Sequence, residues 1–220
     1  MPHSLNALKK IKAEIQKVQK ECATTNKPVE LLAVSKNFLP SEIQPLLEAG
    51  HRHFGENRVQ EAQKKWPSLR KKFPDICLHL IGALQSNKTQ EAVQLFDVIQ
   101  TVDREKIAIA LAKEMERQKR FLPCYIQVNT GAEQQKSGIS PLKTKDFVHF
   151  CQDLGLNIVG LMCIPPAREN AGPHFALLRQ LAGQCAVEQL SMGMSDDFKI
   201  AIAFGATQIR LGSALFGPRS

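Results

Sequence analysis

Leu31-Leu32-Ala33-Val34-Ser35-Lys36 is the stretch from which the fold is read. Its apolar run is closed by the turn residues Asn37 and Pro40, which makes it a short buried strand. Lys36 then stands at the carboxyl mouth of that strand with its stem among apolar neighbours. Desolvation there disfavours the ammonium, lowers its pKa and exposes a nucleophilic amine. Amines in that condition form Schiff bases with aldehydes. Taken alone, the residue reads more readily as a lysine snorkelling from a strand end.

The same kind of run recurs along the chain, at 52–54, 78–81, 97–102, 123–129, 157–164, 188–192 and 208–211. Helical patterns separate the runs. Residues 5–21 place Leu5, Leu8, Ile11, Ile15 and Val18 on one stripe. A second helix runs from Pro40 to Ala49 and is stopped by Gly50. A third runs from Asp103, its expected N-cap, to Arg120, with Ile107, Leu111 and Met115 in line. Strands alternating with helices pair in parallel through crossovers. Eight such units in about 190 residues predict an α/β fold, a compact (β/α)8 TIM-type barrel with an extra N-terminal helix. An open doubly wound sheet is the alternative, but it usually needs fewer strands. No linker, low-complexity tract or repeat divides the chain, so residues 1–220 are expected to be one domain. The stretch 165–173 is expected to be an exposed, mobile connection.

Composition narrows the class. Apolar residues at 43% and charged residues at 23% describe an ordinary globular protein. No stretch approaches a membrane span, and Met1-Pro2-His3-Ser4 starts no apolar signal core, so a cytoplasmic location without membrane contact is expected. The six cysteines lack disulfide-framework or zinc spacing and read as free thiols. The net charge of +8 raises nucleic-acid binding, but its clusters, Lys9-Lys10-Lys12 and Lys64-Lys65 through Arg70-Lys71-Lys72, hold no more than the single aromatic Trp66 and read as solvated faces. A basic balance also suits an anionic small ligand.

In a barrel the strand ends meet at one mouth, where chemistry sits. Lys36 ends the first strand there, and Gly55-Glu56-Asn57 follow the second. His79 lies on the third strand and Met162 on the sixth. The last two strands give Ser191-Met192-Gly193-Met194-Ser195 and Arg210-Leu211-Gly212-Ser213. Phosphate sites in such barrels use the loops after strands seven and eight, and Ser191, Gly193, Gly212 and Ser213 supply hydroxyls and open backbone N–H groups for one. A helix is expected to open at Ser195. No paired carboxylates, Ser-His-Asp set or metal cluster emerges from the sequence.

These motifs carry a resemblance. Leu-Ala-Val-Ser-Lys (32–36), Phe-Gly-Glu-Asn-Arg-Val-Gln-Glu (54–61), His-Leu-Ile-Gly-Ala-Leu-Gln-Ser-Asn-Lys (79–88), Gly-Leu-Met (160–162), Leu-Ser-Met-Gly-Met-Ser-Asp-Asp (190–197) and Ile-Arg-Leu-Gly-Ser-Ala-Leu-Phe-Gly (209–217) together resemble the pyridoxal-phosphate homeostasis proteins, an alanine-racemase-like family. The resemblance spans nearly the whole chain. It implies pyridoxal 5'-phosphate (PLP) carried as an aldimine of Lys36. It also implies that Ser191, Gly193, Gly212 and Ser213 hold the phosphate, that Arg210 faces the pyridine nitrogen, and that Asn57 faces the cofactor. His79 and Met162 are candidate walls of the ring. Arg58 departs from an expected Tyr, Ala206 from an expected Ser or Gly, and the 165–173 segment looks short.

An arginine at the ring nitrogen disfavours its protonation, so the ring would withdraw electrons poorly. The related racemases add a second domain that supplies a tyrosine base, whereas this chain reads to Arg219-Ser220 just after strand eight. The expectation is therefore a monomeric PLP carrier that buffers or delivers the cofactor, with apo PLP enzymes as acceptors and little turnover. A weak PLP-dependent racemase or lyase and a cofactor-free Schiff-base aldolase are the alternatives. An RNA-binding role is more distant.

Overall fold

The computed structural model describes residues 3–22, 28–133 and 135–217. The readings on the chain ends, Met1-Pro2 and Arg219-Ser220, lie outside them. Eight parallel strands close into a barrel in chain order. They are β1 (Glu30–Val34), β2 (His53–Glu56), β3 (Cys77–Leu80), β4 (Val98–Val102), β5 (Pro123–Val128), β6 (Asn157–Cys163), β7 (Gln189–Ser191) and β8 (Gln208–Leu211). The ring closes where β8 pairs with β1, with Leu32 beside Arg210. Every strand lies within two residues of its expected bounds.

The helices are α1 (His3–Cys22), α2 (Pro40–Glu48), α3 (Val59–Lys72), α4 (Thr89–Leu95), α5 (Glu105–Gln118), α6 (Thr144–Asp153), α7 (Ala171–Gln184), α8 (Phe198–Ala203) and α9 (Ser213–Phe216). α1 is the extra N-terminal helix. Its stripe of Leu8, Ile11 and Ile15 is buried, and it packs on α2, α8 and α9. As expected, α2 gives way at Gly50, whose φ of +82° is the left-handed conformation glycine adopts without strain.

Three local expectations need correction. α5 opens at Glu105 because the Asp103 carboxylate is ion-paired to Arg104 and does not cap the helix. Residues 171–173 are the first turn of α7: Asn170 Oδ1 accepts from Gly172 N at 2.9 Å, and Pro165 and Pro166 are buried. α8 opens at Phe198, not Ser195, because Asp197 Oδ1 accepts from Met194 N at 2.6 Å and holds 194–197 as a turn.

The two faces of the barrel wall differ in chemistry. Leu31, Ala33, Phe54, Leu78, Leu80, Ile99, Ile126, Ile209 and Leu211 face outward and join the helices in the main core. The alternate residues face the lumen, as the two-residue side-chain period requires. That set includes the buried polar residues His79, Gln100, Ser191, Gln208 and Arg210. Such a lumen is unlike the branched aliphatic layers that usually fill these barrels.

Close strand contact depends on Gly160. A Cβ there would sit 2.1 Å from the carbonyl oxygen of Gln189, its register partner on β7. Gly160→Ala is expected to force β6 and β7 apart. The loss should be about 3 kcal/mol, the upper end of ordinary overpacking. Calorimetry should then show a fall in Tm of roughly 6–12 °C. An unchanged Tm would contradict the close approach.

Candidate functional site

The carboxyl ends of β1, β2 and β8 open into a cleft of about 240 Å³. Lys36 enters it from the end of β1, Asn57 from the end of β2, and Arg210, Gly212 and Ser213 from β8 and the turn beyond. Val34, Ile81, Ile164 and Met194 form its apolar walls, and Ser195 and Asp196 its far lip. The volume lies just below the ~300–1,000 Å³ of drug-sized pockets, which suits a ligand of one ring and one phosphate.

Lys36 is half-buried, and the chain on both sides of it is clamped. Lys65 of α3 donates from Nζ to the Ser35 carbonyl at 2.7 Å. Lys65 also pairs with Glu56 at 2.8 Å and Glu61 at 2.9 Å. Glu56 Oε1 accepts from Ser35 Oγ at 2.6 Å and from Trp66 Nε1 at 3.0 Å. Glu61 Oε1 accepts from Asn37 N at 2.6 Å, where Asn37 holds a φ of +66°. The turn that carries Lys36 is thus fixed from α3. Burial pushes the Glu56 carboxyl above the usual carboxylate range, opposed by Lys65. The reading of Lys64-Lys65 as a solvated face fails at Lys65, which is buried.

Arg210 forms part of the cleft floor. Its Nη1 donates to Ser191 Oγ and its Nη2 to the Cys163 carbonyl, both at 2.8 Å. Its backbone N–H reaches Gly193 O at 2.9 Å. Burial pulls its pKa below the ordinary arginine value, with Cys163 and Asp197 opposing. The guanidinium arrives at the cleft with two donor directions already committed.

Across the cleft, Ser213 Oγ and Ser195 Oγ are 3.1 Å apart, and Ala214 N donates to Ser195 Oγ at 3.4 Å. Gly212 precedes α9, so backbone N–H groups open toward the same spot. Gly82 lets two loops meet behind Asn57: a Cβ on it would lie 2.2 Å from Asn57 O.

The sequence-derived candidates therefore separate. Lys36, Asn57, Arg210, Gly212 and Ser213 line one cleft. Ser191 and Gly193 do not: Ser191 is fully buried beneath Arg210, and Gly193, with φ +94°, turns the chain toward Met194 and Ser195. Two residues proposed as ring walls also lie elsewhere. Met162 packs in the lumen with Val98 and Tyr125. His79 is buried in the lumen, with Gln100 Nε2 2.9 Å from its Nδ1. Ser195, the apolar walls and the Lys65 clamp were missed as site residues. Ser195 carried a signal, since it lies within the 190–197 motif; Lys65 carried none beyond its charge.

Relatives identify the family. A family model described as the alanine racemase N-terminal domain matches residues 7–220. The pyridoxal phosphate homeostasis protein of Vibrio cholerae is 40% identical over 220 residues, which is 95% of this chain and 93% of that protein. The protein of the same name from Aquifex aeolicus is 35% identical over 98% of this chain and 99% of its own. The chain belongs to the pyridoxal phosphate homeostasis family.

Solved structures agree. PipY of Synechococcus elongatus without PLP matches with a TM-score of 0.81 at 38% identity, covering 92% of this chain and all of that one. PipY with PLP bound matches at 0.79 and 36% identity, over 92% of this chain and 100% of that one. Alanine racemase of Clostridium difficile, 11% identical with a TM-score of 0.68, shares the fold over 94% of this chain and 56% of its own. Of the departures from the family motifs, Arg58 is exposed at the start of α3, outside the cleft lining, and Ala206 is buried in the core. Among the described residues no helix is long and apolar enough to cross a membrane.

Proposed function

We propose that this protein binds pyridoxal 5'-phosphate through Lys36 and serves PLP homeostasis as a cytoplasmic, monomeric carrier, with residues 1–220 acting as one cofactor-binding unit. One observation carries the reading: Lys36 and Arg210, from strands that pair in the closing seam of the barrel, line one small cleft with Ser195 and Ser213 at its rim. That donor set fits the group. An amine meets an aldehyde, two hydroxyls and the N–H groups at the start of α9 meet a phosphate, and a fixed cation meets the ring nitrogen. Bound there, PLP would supply an electrophilic carbonyl carbon and an electron-accepting ring.

The residues around the cleft restrain the second property. Arg210 keeps a positive charge against the ring nitrogen and opposes its protonation. Among the described lining residues Asp196 is the sole carboxylate, and there is no histidine, cysteine or tyrosine to exchange a substrate proton. Among the described lining residues that leaves the Lys36 amine to move a substrate proton, and the arrangement favours holding over turnover, in keeping with the homeostasis name of the relatives. A recess of about 350 Å³ shares Asn57, Ile81 and Ile164 with the cleft. It leaves room next to the cleft for an acceptor amine, as delivery to an apo enzyme would need.

The test is an absorbance titration with PLP, followed by borohydride reduction and peptide mapping. One visible band, lost on reduction, with the cofactor fixed on Lys36 alone is expected. Label scattered over surface lysines would end the proposal and favour the cofactor-free aldolase. With the loaded protein, α-proton exchange of an added amino acid at ordinary enzyme rates would establish a racemase or lyase instead.

The phosphate assignment has its own check. Replacing Ser195 and Ser213 together by alanine should weaken PLP binding about a hundredfold or more, since hydrogen bonds to charged groups contribute roughly 1.5–3 kcal/mol each. Binding of pyridoxal, which lacks the phosphate, should not change. Equal losses for both ligands would place the phosphate elsewhere.

A further inference from the structure

We propose that the amino-terminal end of the barrel, opposite the cleft, binds one divalent metal ion of the zinc class through His53, Cys77 and His79. β2 begins at His53 and β3 at Cys77, and His79 follows Cys77 by one side-chain period, so all three face the lumen. One donor atom from each lies within 4.8 Å of the others. Cys77 Sγ and His79 Nε2 are already 3.3 Å apart. A tetrahedral zinc with bonds of about 2.0–2.3 Å spaces its ligand atoms by roughly 3.3–3.8 Å. Small side-chain rotations bring the set to that spacing.

The outer partners strengthen the assignment. Glu30 Oε1 lies 3.0 Å from His53 Nδ1, an ion-pair contact that is not yet a hydrogen bond and that leaves Nε2 for the cluster. Gln100 holds His79 at Nδ1, which leaves its Nε2 toward the sulfur. Histidines that ligate metals are typically held this way at the second ring nitrogen. Metal at His79 Nε2 requires a proton on Nδ1, so the Gln100 amide must turn its oxygen to that side. Gln100 also meets Gln208, and it accepts from Ser191 Oγ at 2.6 Å. The turn would therefore be felt beneath Arg210.

One thiolate and two imidazoles form a borderline-soft set that selects zinc over magnesium or calcium. Water or Glu30 can complete the fourth position, and the thiol proton leaves to solvent on binding. His53 and Cys77 are half-buried. A solvent-open hollow of about 570 Å³ between α1 and the strand starts, lined by Lys12, Gln16, Glu30 and Arg52, reaches His53. The sequence could not show this set, because His53 lies on one strand and Cys77 and His79 on the next, without metal-ligand spacing.

Zinc sulfate added to the whole protein, followed by desalting and elemental analysis, should leave one zinc per chain. Iodoacetamide mapping should then find Cys77 protected, while Cys22, the other half-buried cysteine, reacts as before. Cys77→Ser, and separately Glu30→Gln, should weaken zinc binding about tenfold or more in competition with a chromogenic chelator. Circular dichroism establishes that each variant is folded, and Cys22→Ser should bind zinc normally. Substoichiometric zinc in the parent, or zinc retention indifferent to Cys77→Ser, overturns the proposal.

Discussion

Lys36→Ala is expected to abolish covalent PLP capture: no visible band that borohydride removes, and no labelled peptide after reduction. The rim of the cleft should survive, because Ser195, Ser213 and Arg210 are positioned by β7, β8 and α9 rather than by Lys36. The variant should therefore still bind PLP reversibly, weaker by about a hundredfold, or roughly 2.8 kcal/mol at 1.4 kcal/mol per decade. Inorganic phosphate should compete with that residual binding. Equilibrium dialysis measures the affinity, and mass spectrometry after reduction measures the covalent part. If Lys36→Ala retains the band on another lysine, the amine has been misassigned. If phosphate does not compete, the residual binding lies outside the cleft. The two failures are separable, since one concerns the covalent bond and the other the cradle.

The barrel was legible because every strand sets an apolar residue on its outward face, so most strands announced themselves as short apolar runs. Its ends were legible where turn chemistry is local, as at Gly50. The boundary at Asp103 was misread because a side chain that could cap a helix is instead bound to the neighbouring Arg104. Residues of the cleft were legible where they follow a strand end, as Lys36, Asn57, Gly212 and Ser213 do. Ser191 occupies such a place too, but it points into the lumen beneath Arg210, and one residue of register decides between floor and rim. His79 and Met162 were misplaced for the same reason: both are lumen residues below the mouth. The lumen's polar chain of Arg210, Ser191, Gln100 and His79 joins residues up to 131 positions apart, and no local pattern reports such a set.

Lys65→Met is expected to be the most damaging single change outside the cleft. Lys65 is the cation beside Glu56, whose carboxylate is fully buried on α3's side of the barrel wall. Glu56 Oε1 keeps the hydroxyl of Ser35 and the indole of Trp66, but Oε2 has no hydrogen-bond partner even with Lys65 present. Removing the ammonium leaves an uncompensated buried charge, which costs about 3–5 kcal/mol. For a chain of this size that lowers Tm by roughly 6–20 °C. The Ser35 carbonyl also loses its donor, so the turn carrying Lys36 should loosen, and PLP capture should slow at temperatures where the protein is still folded. Adding Glu56→Gln to Lys65→Met removes the stranded charge while an amide can still meet Ser35 and Trp66. That double variant should recover most of the lost Tm. It should not recover the rate of PLP capture, because the clamp on Ser35 is still absent. Calorimetry and stopped-flow absorbance separate the two effects. Equal Tm values for the single and double variants would show that the charge on Glu56 is not what Lys65 offsets. Full recovery of the capture rate would show that Lys65 does not hold the Lys36 turn.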